Sequence, residues 1–141
     1  MVNKRYIPRT IPNRGKQIAV EKHLLETHYS FLEVKLQNGI MECVGTYQPS
    51  EQSQKYKYRI KYTPGSPPKV FIISPRISYD ANIHMYSDSS LCLYYPKDFS
   101  WTKESHLYNT FVPWTHEWFV FYELYLLTGE WKHPFVDHNK I

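Results

Sequence analysis

Cys92 lies in the segment "HMYSDSSLCLYYPKDFSW", His84 to Trp101, where an apolar run follows a polar turn. A cysteine works as a nucleophile when it has access, a route to the thiolate, and donors for a tetrahedral oxyanion. His84, upstream in the same segment, is of a type that moves protons or polarises a carbonyl. The same residues also fit a plainer reading. Leu91, Leu93, Tyr94 and Tyr95 flank the thiol, and free cysteine is commonly a small buried hydrophobe. Cys43, the other cysteine, alternates in phase with Met41, Gly45 and Tyr47 and is expected in the core. His133, Asp137 and His138 are ligand types, but their spacing follows no zinc motif and no cysteines accompany them. No metal or cofactor is therefore expected. There is no phosphate-cradling glycine loop and no GxSxG nucleophile elbow.

The elements that would hold these groups can be traced by period. Residues 1–16 carry Lys4, Arg5, Arg9, Arg14 and Lys16 with no acidic residue, and Pro8 and Pro12 interrupt them. This segment is expected to be a basic N-terminal arm, either solvated or touching an acidic partner or a phosphate. Residues 17–141 are expected to be one domain, beginning with a helix from Gln17 to about Ser30 that presents Val20, Leu24 and Phe31 on one face. The period then becomes two. Leu32, Val34 and Leu36 alternate with polar residues, and Gln37–Asn38–Gly39 reads as a hairpin turn into a strand over residues 40–48. In "KYKYRIKY", Lys55, Lys57, Arg59 and Lys61 alternate with Tyr56, Tyr58, Ile60 and Tyr62, so one face is wet and the other packed. After the breaker "TPGSPP" comes "KVFIIS", a fourth strand ending at Pro75. A long irregular stretch runs to Trp101, and long ordered loops within a domain tend to be functional. A last helix starts near Pro113 and stops at Gly129; being apolar on most sides, it is expected to pack centrally on the sheet. The fold class is α+β: N-terminal helix, four-stranded antiparallel meander, long active-site loop and C-terminal helix.

Composition narrows the function. With 141 residues, 42% hydrophobic and 17% aromatic, the chain can bury a continuous core. Its net charge of +4 is mild for a nucleic-acid binder, and the Lys/Arg stripe is read as a solvated outer face. Two distant cysteines make no disulfide framework, the N-terminus lacks the apolar core of a signal peptide, and "WFVFYELYLL" is too short to span a bilayer. A cytoplasmic location follows as the expectation, with reduced thiols and neither membrane nor nucleic acid as partner.

The order helix, meander, a loop with a histidine followed by "LCL", and then Trp101 resembles the ubiquitin-conjugating enzyme fold. The likeness is closer to bacterial ubiquitin-conjugating-enzyme-like proteins of cyclic-oligonucleotide-based antiphage signalling (CBASS) operons. It rests on "LCLYYP", Trp101 and "PWTHEWFVFYELYLLTGEW" from Pro113 to Trp131. It covers residues 17–138, specifically over 84–131 and only in architecture before that. It implies a catalytic Cys92 that forms a thioester and a motif histidine at His84. Eukaryotic members follow the histidine with Pro-Asn, whose asparagine is thought to stabilise the oxyanion; Met85 and Tyr86 stand here instead. Backbone N–H groups, His84 or Asn82 are the candidates for that role. Tyr86, Tyr94 and Tyr95 either hold an extended C-terminal peptide or close the core under the loop.

The resemblance implies an acyl carrier that transfers the C-terminus of a partner, a cyclic-GMP–AMP-synthase-like nucleotidyltransferase, to an amine on a target in antiphage defence. Lacking a nucleotide-binding glycine loop, the chain would depend for activation of the carboxylate on another protein, such as a separate activating enzyme, or on a route the sequence does not show. The alternative is a catalytically silent adaptor of the same fold that binds the nucleotidyltransferase or a ubiquitin-like protein; the missing Pro-Asn favours it. A basic nucleic-acid-binding module is a third possibility, and it would bind with steep salt dependence.

Overall fold

In the computed structural model, which describes residues 10–133, α1 (Thr10–His28) leads into four strands. These are β1 (Glu33–Gln37), β2 (Ile40–Tyr47), β3 (Tyr56–Tyr62) and β4 (Lys69–Ser74), hydrogen-bonded antiparallel in sequence order. A single 3₁₀ turn, Ala81–Ile83, interrupts the long connection to α2 (Phe111–Thr128). The α+β meander between two helices agrees with the period analysis. The β1–β2 turn closes as expected from Asn38 and Gly39, both with positive φ (55° and 76°), the backbone of a tight primed hairpin.

Cross-strand register explains the core. Cys43 lies opposite Ile60 on one side and Val34 on the other, and Gly45 lies opposite Tyr58. Met41, Cys43, Tyr56, Tyr58 and Ile60 have no exposed surface and Tyr62 has 3%, while Lys57 and Lys61 face outward. The outward row of cations is thus the solvated face anticipated from "KYKYRIKY". A Cβ on Gly45 would stand 2.7 Å from the Tyr58 hydroxyl, so glycine there admits the phenol across the strand. The ring of Phe119 in α2 stacks on Tyr56, with centroids 4.5 Å apart, which sets the helix on this tyrosine face.

Two expectations need correction. First, α1 begins at Thr10, so Arg14 and Lys16 belong to a helix rather than to an irregular arm; residues 1–9 lie outside the described residues. Pro12 is tolerated because it falls in the first turn, where its missing N–H has no helical acceptor to lose. Second, α1 does not bury Val20, Leu24 and Phe31: Val20 is 38% and Phe31 47% exposed, and Leu24 is only half-buried. Its inward face is Ile18, Glu21 and Leu25, continued by Tyr29 just past its end. Glu21 is buried because its carboxylate accepts from the Leu107 N–H (2.8 Å) and meets His106 Nδ1 (2.7 Å). The last helix packs on the sheet as expected, along one stripe. Phe111, Val112, Thr115, Trp118 and Phe119 are buried, whereas Leu126 and Leu127 are 57% and 83% exposed, because a single-layer sheet covers one stripe of a helix. Gly129 caps α2 as expected, with φ 77° and its N–H on the Tyr125 carbonyl.

Candidate active site

The "SDSS" turn folds residues 84–92 into a short hairpin. Met85 and Leu91 form an antiparallel bridge, the Cys92 N–H donates to the His84 carbonyl at 2.9 Å, and the Tyr86 N–H donates to the Ser90 carbonyl at 2.8 Å. At the tip, Ser89 takes the left-handed region (φ 71°) and its N–H returns to the Tyr86 carbonyl. Asp88 supplies the local chemistry that makes this turn. Its carboxylate accepts from the Ser90 N–H (2.9 Å), the Ser90 hydroxyl (2.6 Å) and Lys69 Nζ (2.6 Å). With Lys69 as the chief cause, the Asp88 carboxyl is held down at about 2.

Two further attachments fix the hairpin on the fold. The Leu91 N–H donates to the Val70 carbonyl of β4 at 2.9 Å. From α2, the Trp118 indole N–H reaches the carbonyls of Ile83 (3.1 Å) and His84 (3.3 Å). His84 itself takes a left-handed backbone (φ 58°), an uncommon conformation for a residue with a side chain. Its ring stacks on Trp131 with centroids 5.5 Å apart, and His133 lies 6.5 Å from it. His84 and Cys92 are therefore neighbours joined through the main chain.

Cys92 is 4% exposed, yet it stands outside the continuous hydrophobic core to which Cys43 belongs. Burial pushes its thiol up, and hydrogen bonds from the Tyr86 phenol and the Tyr94 backbone act in the opposite direction. Sγ also lies 3.6 Å from the Tyr94 carbonyl oxygen. A cavity of about 460 Å³ opens beside the hairpin, walled by Pro67, Lys69, Tyr86, Leu91, Tyr94 and Phe111.

The three tyrosines divide. Tyr94 packs against the core among Phe99, Phe111 and Trp114, and Tyr95 is 9% exposed. Tyr86 is 40% exposed and reaches the thiol. Of the groups considered for the oxyanion, Asn82 sits exposed on the 3₁₀ turn, where its backbone N–H is bound by Asp80. Sequence reasoning missed Tyr86 as a partner of the thiol and Trp118 as the anchor of the loop. The first was accessible: reading "SDSS" as a hairpin tip puts positions 86 and 92 on one face. The second depends on packing between segments far apart in the chain.

Cys43 is fully buried, and desolvation pushes its thiol up to about 12, the condition of an inert core cysteine. His133 meets Glu117 at 2.9 Å, while Asp137 and His138 lie outside the described residues. No three metal-ligating side chains gather among the described residues, and none of the helices there is long and apolar enough to cross a membrane.

No curated protein matches the chain. A protein-family model described as "Type II CBASS E2 protein" matches residues 21–139, a span that takes in α1 from Glu21 onward, the whole meander, the hairpin bearing Cys92, and α2. With the helix–meander–loop–helix fold in place around that hairpin, the chain belongs to the type II CBASS E2 family, whose members are E2-like proteins of antiphage defence.

Proposed function

We propose that the protein is an acyl carrier that holds a partner's C-terminus as a thioester on Cys92 and passes it to an amine. The partner in this reading is the cyclic-GMP–AMP-synthase-like nucleotidyltransferase of a CBASS system, its carboxylate activated by a separate enzyme. The observation that carries the proposal is the placement of Cys92. It is a thiol partnered by one half-exposed tyrosine, outside the core, on a hairpin that β4 and α2 both hold and whose Tyr86 and Leu91 wall a cavity. Loading is thiol exchange: the Cys92 thiolate adds to an activated acyl carbon, a C–S bond forms, and the activating group leaves with its electron pair. Discharge to an amine gives an amide and returns the thiol. A thioester is reactive enough toward amines that the carrier needs orientation more than a strong base. His84 acts here as a positioning residue, its carbonyl receiving the Cys92 N–H and its ring set against Trp131.

The test is co-expression with a CBASS nucleotidyltransferase and an activating enzyme, comparing wild type with Cys92→Ala on reducing and non-reducing gels and by mass spectrometry. A thiol-labile adduct on Cys92, lost in the alanine variant, is the expected result and identifies the cargo. Equal association of both proteins with no adduct in either supports the second reading, a silent adaptor. The burial of Cys92 is the observation that favours that alternative.

A further inference from the structure

The hairpin places a second functional group on the reacting sulfur. In an antiparallel pair, side chains of opposed residues share a face and successive pairs alternate. Met85 and Leu91 oppose each other and both point into the core, at 7% and 4% exposure. Residues 84 and 92, and residues 86 and 90, therefore project from the other face. Tyr86 and Cys92 are diagonal neighbours there, a separation that an aromatic side chain spans, and the phenol hydroxyl indeed hydrogen-bonds the Cys92 sulfur. Tyr86 also walls the cavity beside the hairpin, so the thiol's phenol partner lies next to space open to an acyl chain.

We propose that the Tyr86 hydroxyl is the catalytic donor that holds the carbonyl oxygen of a Cys92 thioester as an amine adds to it. The inference rests on the acyl-carrier reading and extends it to the group that stabilises the oxyanion. In the resting protein the hydroxyl bonds the sulfur. Once the sulfur is acylated it is a weak acceptor, and the carbonyl oxygen, two bonds away, becomes the stronger one. The amine lone pair forms a C–N bond, the carbonyl π pair moves onto oxygen, and that oxyanion accepts from Tyr86. Collapse re-forms C=O and breaks C–S, the electron pair leaving on Sγ. The proton lost from nitrogen passes to solvent base, and the products are an amide and free Cys92. The role requires a phenol that stays protonated. Burial, followed by the neighbouring Cys92, pushes the Tyr86 hydroxyl above its ordinary range, so it remains a donor at alkaline pH.

A short peptide thioester of mercaptoethanesulfonate loads Cys92 by thiol exchange and needs no activating enzyme. Wild type and Tyr86→Phe, both loaded in this way, are mixed with free lysine, and loss of the acyl adduct is followed by intact mass. The phenylalanine keeps the ring and its packing, which a melting curve verifies. Discharge of the variant is expected to be about 100-fold slower, the usual cost of one oxyanion donor. The rate of alkylation of the unloaded thiol against pH is a second readout. Its midpoint is expected to move upward in the variant, because a bond favouring the thiolate is gone, a change that a packing role would not produce. Equal discharge rates overturn the inference whatever the alkylation profile does. Slowed discharge supports it, with or without the shifted profile. If wild type discharges no faster than the free peptide thioester, the acyl-carrier reading fails and takes this inference with it; if wild type discharges readily and Tyr86→Phe matches it, only the inference fails.

Discussion

Cys43 and Cys92 carry the same thiol in surroundings that give it different chemistry. Cys43 sits on β2 between Val34 and Ile60, with nothing to offset its desolvation. At about pH 8 a thiol raised to about 12 is ionised in roughly one molecule in 10⁴. Cys92 is also raised, but two hydrogen bonds oppose the rise and one partner, Tyr86, lies at the surface where it can swing aside. Iodoacetamide on the native protein should therefore modify Cys92 first, leaving Cys43 unmodified until denaturant is added; peptide mapping distinguishes the two. Protection of both thiols in the native state would weigh for the adaptor.

Among the elements, α2 does more than cover the sheet. Trp118 is 2% exposed and its indole N–H is shared between two carbonyls at the start of the Cys92 hairpin, so a helix side chain sets where that loop begins. Trp118→Phe keeps an aromatic ring but leaves the carbonyls of Ile83 and His84 without this donor. The cost expected in urea unfolding is about 1–3 kcal/mol, the penalty for an unmatched buried polar group. Because the loosened segment carries the thiol, Cys92 alkylation in the native variant should also be faster than in wild type. A destabilised variant with unchanged alkylation would show that Trp118 supports the core and not the hairpin.

For the molecule as a whole, the tyrosine-rich core makes stability depend on pH through His116. Its ring stacks on Tyr47 (4.1 Å, 5°) and its Nε2 meets the Tyr58 hydroxyl at 2.7 Å. Burial lowers its pKa from 6.5 to about 4. Between those values the unfolded chain binds a proton that the folded protein refuses, so stability falls as pH drops through this window and is fully restored above it. The urea midpoint should decline from pH 6.5 toward 4, and His116→Phe, which has no proton to take up, should show a flatter profile over the same range.

The sequence by itself determined the elements. Strict alternation in "KYKYRIKY", the Asn38–Gly39 turn and the Gly129 cap are local signals, written in the backbone preferences of a few adjacent residues, and each reappears in the structure. The sequence also singled out the segment around Cys92, because its "LCLYYP" and the aromatic helix after it are specific enough to indicate a family. Other features were decided only by tertiary structure. Hydrophobic pattern assigned the wrong face to α1, since Glu21 reads as polar and is buried only because the loop at His106 and Leu107 comes to meet it. Likewise, pattern could not separate Tyr86 from Tyr94 and Tyr95: the three rings are chemically alike, and their roles differ through the pairing of Met85 with Leu91 and the aromatic neighbours that α2 supplies. A group's partner across the fold, and hence its charge state and reach, is a property of packing between segments that no local stretch of the chain encodes.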